Sequence, residues 1–312
     1  MKKLADLDIR QLRYFVTVVQ DGQMTRAARR LALAQPALSQ AIARLEAQVG
    51  VRLLERGPRG VTATPAGAAF FEKAQATLAA VDEVSATARS WAREQQGRLH
   101  AGFMAMTPPM MAGDLVSRFL AHHPDLTIEW RQLGYPLLDA RAWLGDSDVG
   151  LIWFAPSAPG LASQPIRTSP LVAAMAETHP LADRAELRVA DVLDEPFPGV
   201  VGWCDPVWLG YWGLDAYRGA PARRTDDEAM TPEEVASIVA SGWAITTVPE
   251  IVAVPFGHLG IRAIPLVDAE PAVLTLVWPE GAATPLVTAL AELARETWES
   301  AQTVDPGARD AP

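Results

Sequence analysis

Residues 23–48, QMTRAARRLALAQPALSQAIARLEAQ, constrain the fold more than any other stretch of the chain. Ala28 and Leu31, then Leu38, Ile42 and Leu45, recur at spacings of three and four, which gives each of two short helices one apolar stripe. Gln35-Pro36 opens the second helix, with the proline in the first turn, where a missing N–H costs nothing. Opposite the stripe stand Ser39, Gln40 and Arg44, short or polar groups suited to phosphates and base edges. Such a pair either packs as an ordinary helical hairpin or presents its second helix to a DNA major groove.

The flanking residues favour the groove. Leu12, Phe15, Val16 and Val19 form the buried face of a preceding helix that stops at Asp21-Gly22. After Gly50, Leu53-Leu54 and Val61 bracket the run Arg56-Gly57-Pro58-Arg59-Gly60, a hairpin with a basic tip. A basic tip beside a recognition helix is a wing, able to place an arginine in the adjacent minor groove. Charge follows the same division. Residues 1–65 hold 11 Lys and Arg against 5 Asp and Glu, a net +6, so residues 66–312 carry −16 of a chain that totals −10. A basic head on an acidic body confines phosphate attraction to one end, and whole-chain acidity does not exclude nucleic acid.

The run RQLRYFVTVVQDG, then TRAARRL, then AQPALSQAIARLEAQVGVRLLERGPRGVTATPAG resembles the N-terminal domain of LysR-type transcriptional regulators in order, spacing and the trailing Thr-Pro-Ala-Gly. The resemblance implies a bacterial winged helix-turn-helix protein that binds a double-stranded DNA operator. The candidate DNA contacts are Thr25 and Arg26, then Gln35, Pro36, Ala37, Ser39, Gln40 and Arg44, with Arg56 and Arg59 on the wing. Two positions depart from the family. Gln23-Met24 stands where Ser-Phe is usual, a poorer N-cap worth about 0.5–1 kcal/mol. Gln40 replaces a common arginine, which alters what is read there and not how the helix docks.

From Pro65 to about Gln96 runs one long helical pattern. Phe71, Ala74, Leu78, Val81, Ser85 and Ala88 make a heptad-like seam, with Phe70, Thr77, Val84 and Trp91 as a second line. Such a helix either packs wholly on its own C-terminal domain or pairs with a copy of itself, and the resemblance implies the latter, in a dimer or tetramer. Gly97 ends it. Beyond lie alternating strands and helices: strands at Leu99–Met104, Thr127–Leu133 and Asp148–Trp153, helices at Met110–His122 and Leu137–Trp143, then a similar series from Ser169. A strand at Ala272–Pro279 and a helix at Pro285–Glu299 return the chain to the first half.

The expected fold is thus α/β: an α-rich winged helix-turn-helix over 1–65, a linker and dimerisation helix over 66–96, and a periplasmic-binding-protein-like effector domain over 97–300. Its subdomain I comprises 97–168 and 269–300, its subdomain II 169–268, with a disordered tail over 301–312. LVAAMAETHPLA and EEVASIVASGWAITTVPE resemble parts of the LysR-type effector domain, which binds a small molecule between its halves.

Thr107 follows the first strand and precedes Pro108-Pro109, so it serves either as a capping threonine or as an effector contact. The resemblance puts effector contacts at that strand end, at Met106 and Thr107, and in the second half at Thr247. Trp153 and Phe154 end a neighbouring strand, at the crevice edge of an open α/β sheet. Trp203, Trp208 and Trp212 crowd into WCDPVWLGYW, where they either fill a core or wall an aromatic ligand, Trp203 being the foremost candidate. The effector expected is compact and apolar or aromatic, with a carboxylate as one option for the Thr107 end.

Other chemistry is excluded or weak. The five histidines show no metal-ligand spacing, no cofactor is expected, and no nucleophile elbow, P-loop or dinucleotide fingerprint marks an enzyme. Cys204 is a lone cysteine, which rules out an internal disulfide, fits a reducing cytoplasm and leaves an oxidant sensor without a resolving partner. No apolar run reaches membrane-span length and no signal core follows Met1-Lys2-Lys3. The expected function is a ligand-responsive operator-binding regulator with RNA polymerase as a further candidate partner. The alternative is an architectural DNA-binding oligomer without a ligand.

Overall fold

A computed structural model describes residues 7–57, 60–104, 107, 109–135, 143–154, 160–200 and 204–304. The chain divides into two compact units, Met1–Ala88 and Arg89–Pro312.

In the first unit, α1 (Ile9–Asp21) starts at Asp8, whose carboxylate accepts the Arg10 N–H at 2.9 Å, and ends at Gly22 in the left-handed region, φ 63°. Phe15 and Val18 are fully buried, whereas Val19, expected inside, is only half-buried. α2 (Met24–Arg30) begins at Gln23, which makes no side-chain cap, as its chemistry predicts. α3 (Gln35–Val49) buries Leu38, Ile42 and Leu45 and stops at Gly50, φ 79°. Glu46, on α3, reaches forward: its Oε1 accepts the N–H groups of Leu53 and Leu54 at 2.8 and 3.0 Å. That carboxylate thereby fixes where the hairpin of β1 (Leu54–Gly57) and β2 (Gly60–Ala63) leaves the helix.

The Thr-Pro-Ala-Gly run has a physical account. Thr64 Oγ1 accepts the Gly67 N–H at 2.9 Å and donates to the Arg52 carbonyl at 2.9 Å, so it caps the next helix and ties it to the chain before β1. Pro65 takes the first helical position. At Gly67 a Cβ would lie 1.9 Å from the Leu53 carbonyl oxygen, so only glycine permits this crossing. The helix it opens, α4 (Pro65–Gln95), packs Phe70 edge-on against Phe15, ring centroids 5.2 Å apart, and buries Ala74. Val84 and Trp91 on the same helix are exposed.

The second unit holds a five-stranded sheet ordered β4-β3-β5-β12-β6, from β3 (Arg98–Met104), β4 (Thr127–Leu133), β5 (Val149–Trp153), β6 (Leu161–Ser169) and β12 (Ala272–Pro279). β3 runs parallel to β4 and β5, and the returning β12 is antiparallel to β5 and β6. After Pro170 the chain enters a three-stranded antiparallel sheet of β7 (Leu171–Ala176), β10 (Thr246–Pro249) and β11 (Ile261–Pro265), with β7 central. A parallel pair, β8 (Phe197–Val200) and β9 (Arg224–Ala229), completes the strands described. β5 and β7 are buried along their whole length, as near-continuous apolar runs require.

Two expectations need correction here. Met110–His122 is not one helix: a 3-10 turn (Pro109–Ala112) precedes α5 (Leu115–His122), because Gly113 at φ 65° breaks the helical path. The last helix, Pro285–Val304, continues through residues 301–304, expected as tail; no breaker occurs until Pro306. Residues 305–312 lie outside the described residues, as does most of the helix expected at Leu137–Trp143.

Candidate functional site

Two sites emerge, one in each unit. On the first, Gln35, Pro36, Ala37, Gln40 and Arg44 are exposed and Ser39 half-buried, all on α3, whose opposite stripe is fully buried. Thr25 and Arg26 are exposed on α2, and Arg26 donates to the Asp21 carbonyl. The wing is joined to this face directly: Arg56, on β1, donates from Nη2 to Ser39 Oγ at 3.0 Å. The two candidate contacts thus present one surface, although their positions are 17 residues apart. Arg59 lies outside the described residues.

The second site is a partly open cavity between the five-stranded sheet and the elements beyond Pro170, with about 90 Å³ open to the centre of a water-sized sphere. One such sphere needs roughly 10–15 Å³, so a compact organic molecule fits. Thr107 and Trp153 approach it from the carboxyl ends of β3 and β5, where open α/β sheets bind ligands. Thr246 and Thr247 on β10 face it from the other half, and Thr247 Oγ1 donates to the Trp212 carbonyl at 2.7 Å. α6 (Pro206–Trp212) supplies Trp208 and Trp212 to the wall. Asp205 starts that helix by accepting the N–H groups of Val207 and Trp208, each at 2.8 Å. The Trp208 ring lies 5.3 Å from Tyr135 and 5.9 Å from Trp212, and its Nε1 donates to the Trp153 carbonyl at 3.3 Å.

The sequence expectations meet this cavity unevenly. Thr107, Trp153 and Thr247 share its wall; Met106 and Trp203 lie outside the described residues. Phe154 is not on the wall. At φ 57° its backbone turns the ring away, and it stacks on Tyr211 at 4.1 Å. Thr107 is no helix cap: its hydroxyl has no hydrogen-bond partner, and its N–H donates to the Met104 carbonyl at 2.9 Å. The element that follows it is a four-residue 3-10 turn, too short to offer a helix N-terminus to a carboxylate.

Arg224 was missed. It enters the wall from β9, with Nη1 donating to the Pro198 carbonyl and Nη2 to the Leu209 carbonyl, both at 3.1 Å. Burial pulls its pKa down, against the pull of Asp215. Trp208 and Trp212 were visible only as members of a tryptophan cluster. Burial, followed by the charge of Asp205, pushes the Cys204 thiol up to about 12, which leaves almost no thiolate to attack an oxidant. Among the described residues no group of His, Cys, Asp and Glu could hold a metal ion, and no helix is long and apolar enough to cross a membrane.

Comparison with known proteins covers both units. Residues 9–68 match the model of the bacterial regulatory helix-turn-helix proteins of the lysR family, and residues 92–299 match the LysR substrate binding domain. The chain is 32% identical to the uncharacterized HTH-type transcriptional regulator YnfL of Escherichia coli (strain K12), covering 88% of this chain and 93% of that one. It is 31% identical to the HTH-type transcriptional regulator IlvR of Caulobacter vibrioides, over 93% and 98% of the two chains. A hydrogen-peroxide-bound mutant of OxyR from Corynebacterium glutamicum shares the fold, with a TM-score of 0.51 and 24% identity over 97% of this chain and 96% of that one.

Proposed function

Because the chain belongs to the LysR family of bacterial helix-turn-helix regulators, DNA-binding proteins of transcription with a substrate-binding domain for an effector, we propose a division of labour along it. Residues 1–65 read the operator, 66–96 join copies of the chain into a dimer or tetramer, and 97–300 hold the effector. Ser39, Gln40 and Arg44 enter the major groove, while Arg56 and Arg59 bind phosphate or the minor groove beside it. The exposed Val84 and Trp91 line of α4 is the face that pairs with a second copy.

The effector is a compact molecule with an apolar or aromatic body, bound in the cavity of the second unit. Its preference for one arrangement of the cavity walls is what changes the DNA complex, since equal affinity for both arrangements shifts nothing. The output is altered transcription in the cytoplasm, with RNA polymerase as the eventual partner, and no chemical product.

The observation that carries the operator assignment is the Arg56–Ser39 hydrogen bond, which sets wing and recognition helix side by side over a fully buried stripe. The test is a gel shift on the DNA upstream of the protein's own gene. Side chains that read base edges contribute about 1–3 kcal/mol each, so Arg44→Ala and Ser39→Ala should each weaken binding about ten- to a hundredfold with the fold intact. Wild-type affinity in both variants removes α3 from the groove.

A further inference from the structure

The cavity carries a chemical signature in its unsatisfied groups. Thr107 Oγ1, Trp153 Nε1 and Trp212 Nε1 are buried and have no hydrogen-bond partner among the described residues, and all three residues line the cavity. Thr107 is 0% exposed and Trp153 1%. Buried polar groups are almost always paired, so three orphans around one cavity mark a place that something else completes. An indole N–H can only donate, and a hydroxyl can also donate, so the missing partner is an acceptor.

Its charge follows from what surrounds it. The orphan donors are all neutral. Arg224, the cation on the wall among the described residues, is engaged by the carbonyls of Pro198 and Leu209 and by the charge of Asp215. Acidic groups stand on the elements that supply the wall, outside the lining itself. Asp205 caps α6, which supplies Trp208 and Trp212. Glu233 and Glu234 stand in the first turn of the helix Pro232–Ala240, whose Pro232 and Val235 line the cavity. Burial first, then Cys204, then these two glutamates hold the Tyr135 hydroxyl in its neutral form. A carboxylate there would meet neutral donors and apolar rings, with Arg224 already engaged by two carbonyls and by Asp215, and a buried charge without a free partner is strongly disfavoured.

We infer that the cavity takes a neutral ring-sized molecule carrying a carbonyl-type acceptor, held by the Thr107 hydroxyl and the Trp153 and Trp212 indoles, and not a carboxylate. A carbonyl oxygen has two lone pairs and can accept from two of these donors at once. This rests on the reading of the cavity as the effector site.

The test is calorimetric titration of the full chain with three probes of nearly equal size: acetophenone, benzoate and ethylbenzene. The expected order is acetophenone at least tenfold tighter than ethylbenzene, with benzoate weakest. Thr107→Val, which keeps the shape and removes the hydroxyl, should weaken acetophenone about five- to tenfold and leave ethylbenzene unchanged or tighter. Trp212→Phe should narrow the same preference. Binding of benzoate equal to or tighter than acetophenone overturns the neutral-acceptor assignment while leaving the cavity a ligand site. Equal binding of acetophenone and ethylbenzene overturns the role of the orphan donors. Binding of none of the three overturns both this inference and the effector reading on which it rests.

Discussion

Replacing Arg93 by methionine should destabilise the second unit more than any other single loss of charge in it. Arg93 lies near the end of α4, its side chain 11% exposed, and it grips Asp148, whose side chain is 2% exposed. The pair is two-pronged: Nε donates to Oδ2 at 3.0 Å and Nη2 to Oδ1. Burial alone would lower the arginine's pKa, but the bonds to Asp148 raise it overall, a sign that the charged form is well held. Methionine keeps much of the stem and abandons the carboxylate, which then retains, among the described residues, the His100 N–H at 2.9 Å. Stranding one member of a buried pair costs about 3–5 kcal/mol. At about 2–4 °C per kcal/mol for a unit of this size, the melting temperature should fall by roughly 6–20 °C.

Two controls separate the mechanism from general damage. Arg89 also forms an ion pair, with Asp146 at 2.6 Å, but both side chains are about half exposed. Arg89→Ala should therefore cost no more than about 1 kcal/mol. The double replacement Arg93→Met with Asp148→Leu removes the stranded charge and should recover most of the loss, since buried pairs exchanged for apolar groups are often neutral. Differential scanning calorimetry of the full chain reads all three variants. A melt of the Arg93→Met protein within about 2 °C of wild type would refute the argument that this carboxylate depends on its partner. Function is attached to the pair: Asp148 immediately precedes β5, and Trp153, at the other end of that strand, is on the cavity wall.

Two further outcomes follow from the first unit. Replacing both Arg56 and Arg59 by alanine should weaken specific and nonspecific DNA alike and flatten the salt dependence by about one to two units; an unchanged slope in a titration against salt would turn the hairpin tip away from DNA. Gly67→Ala would ordinarily help a helix, but its Cβ meets the Leu53 carbonyl oxygen at 1.9 Å, so thermal melting should show a loss of about 1–3 kcal/mol, and any gain in stability would contradict the close crossing.

The head was legible in the sequence because its determinants are local. Apolar spacing places Leu38, Ile42 and Leu45 on one side, and Gly22 and Gly50, both in the left-handed region, end α1 and α3 as their positions predict. The single break at Gly113 escaped notice because an isolated glycine in a helical pattern is usually tolerated. The cavity was legible at strand ends, where topology puts Thr107 and Trp153, and at Thr247 only through the family resemblance. Arg224, Tyr135, Trp208 and Trp212 reach it from elements far apart in sequence, and no local period records such an approach. Phe154 misled because it follows Trp153 at the same strand end in the sequence, while a positive φ sends its ring to Tyr211 instead.

The central claim is that occupancy of the cavity changes how the helix-turn-helix meets DNA. Nuclease footprinting on the region upstream of the protein's own gene, at fixed salt, with and without a ligand shown by calorimetry to bind the second unit, tests it most directly. The account predicts a sequence-specific footprint whose extent or pattern of enhanced cleavage changes when that ligand is added, and does not change in a Thr107→Val protein at the same concentration. Salt-sensitive protection without sequence preference, identical with and without ligand, would contradict it and leave an architectural DNA-binding oligomer in its place.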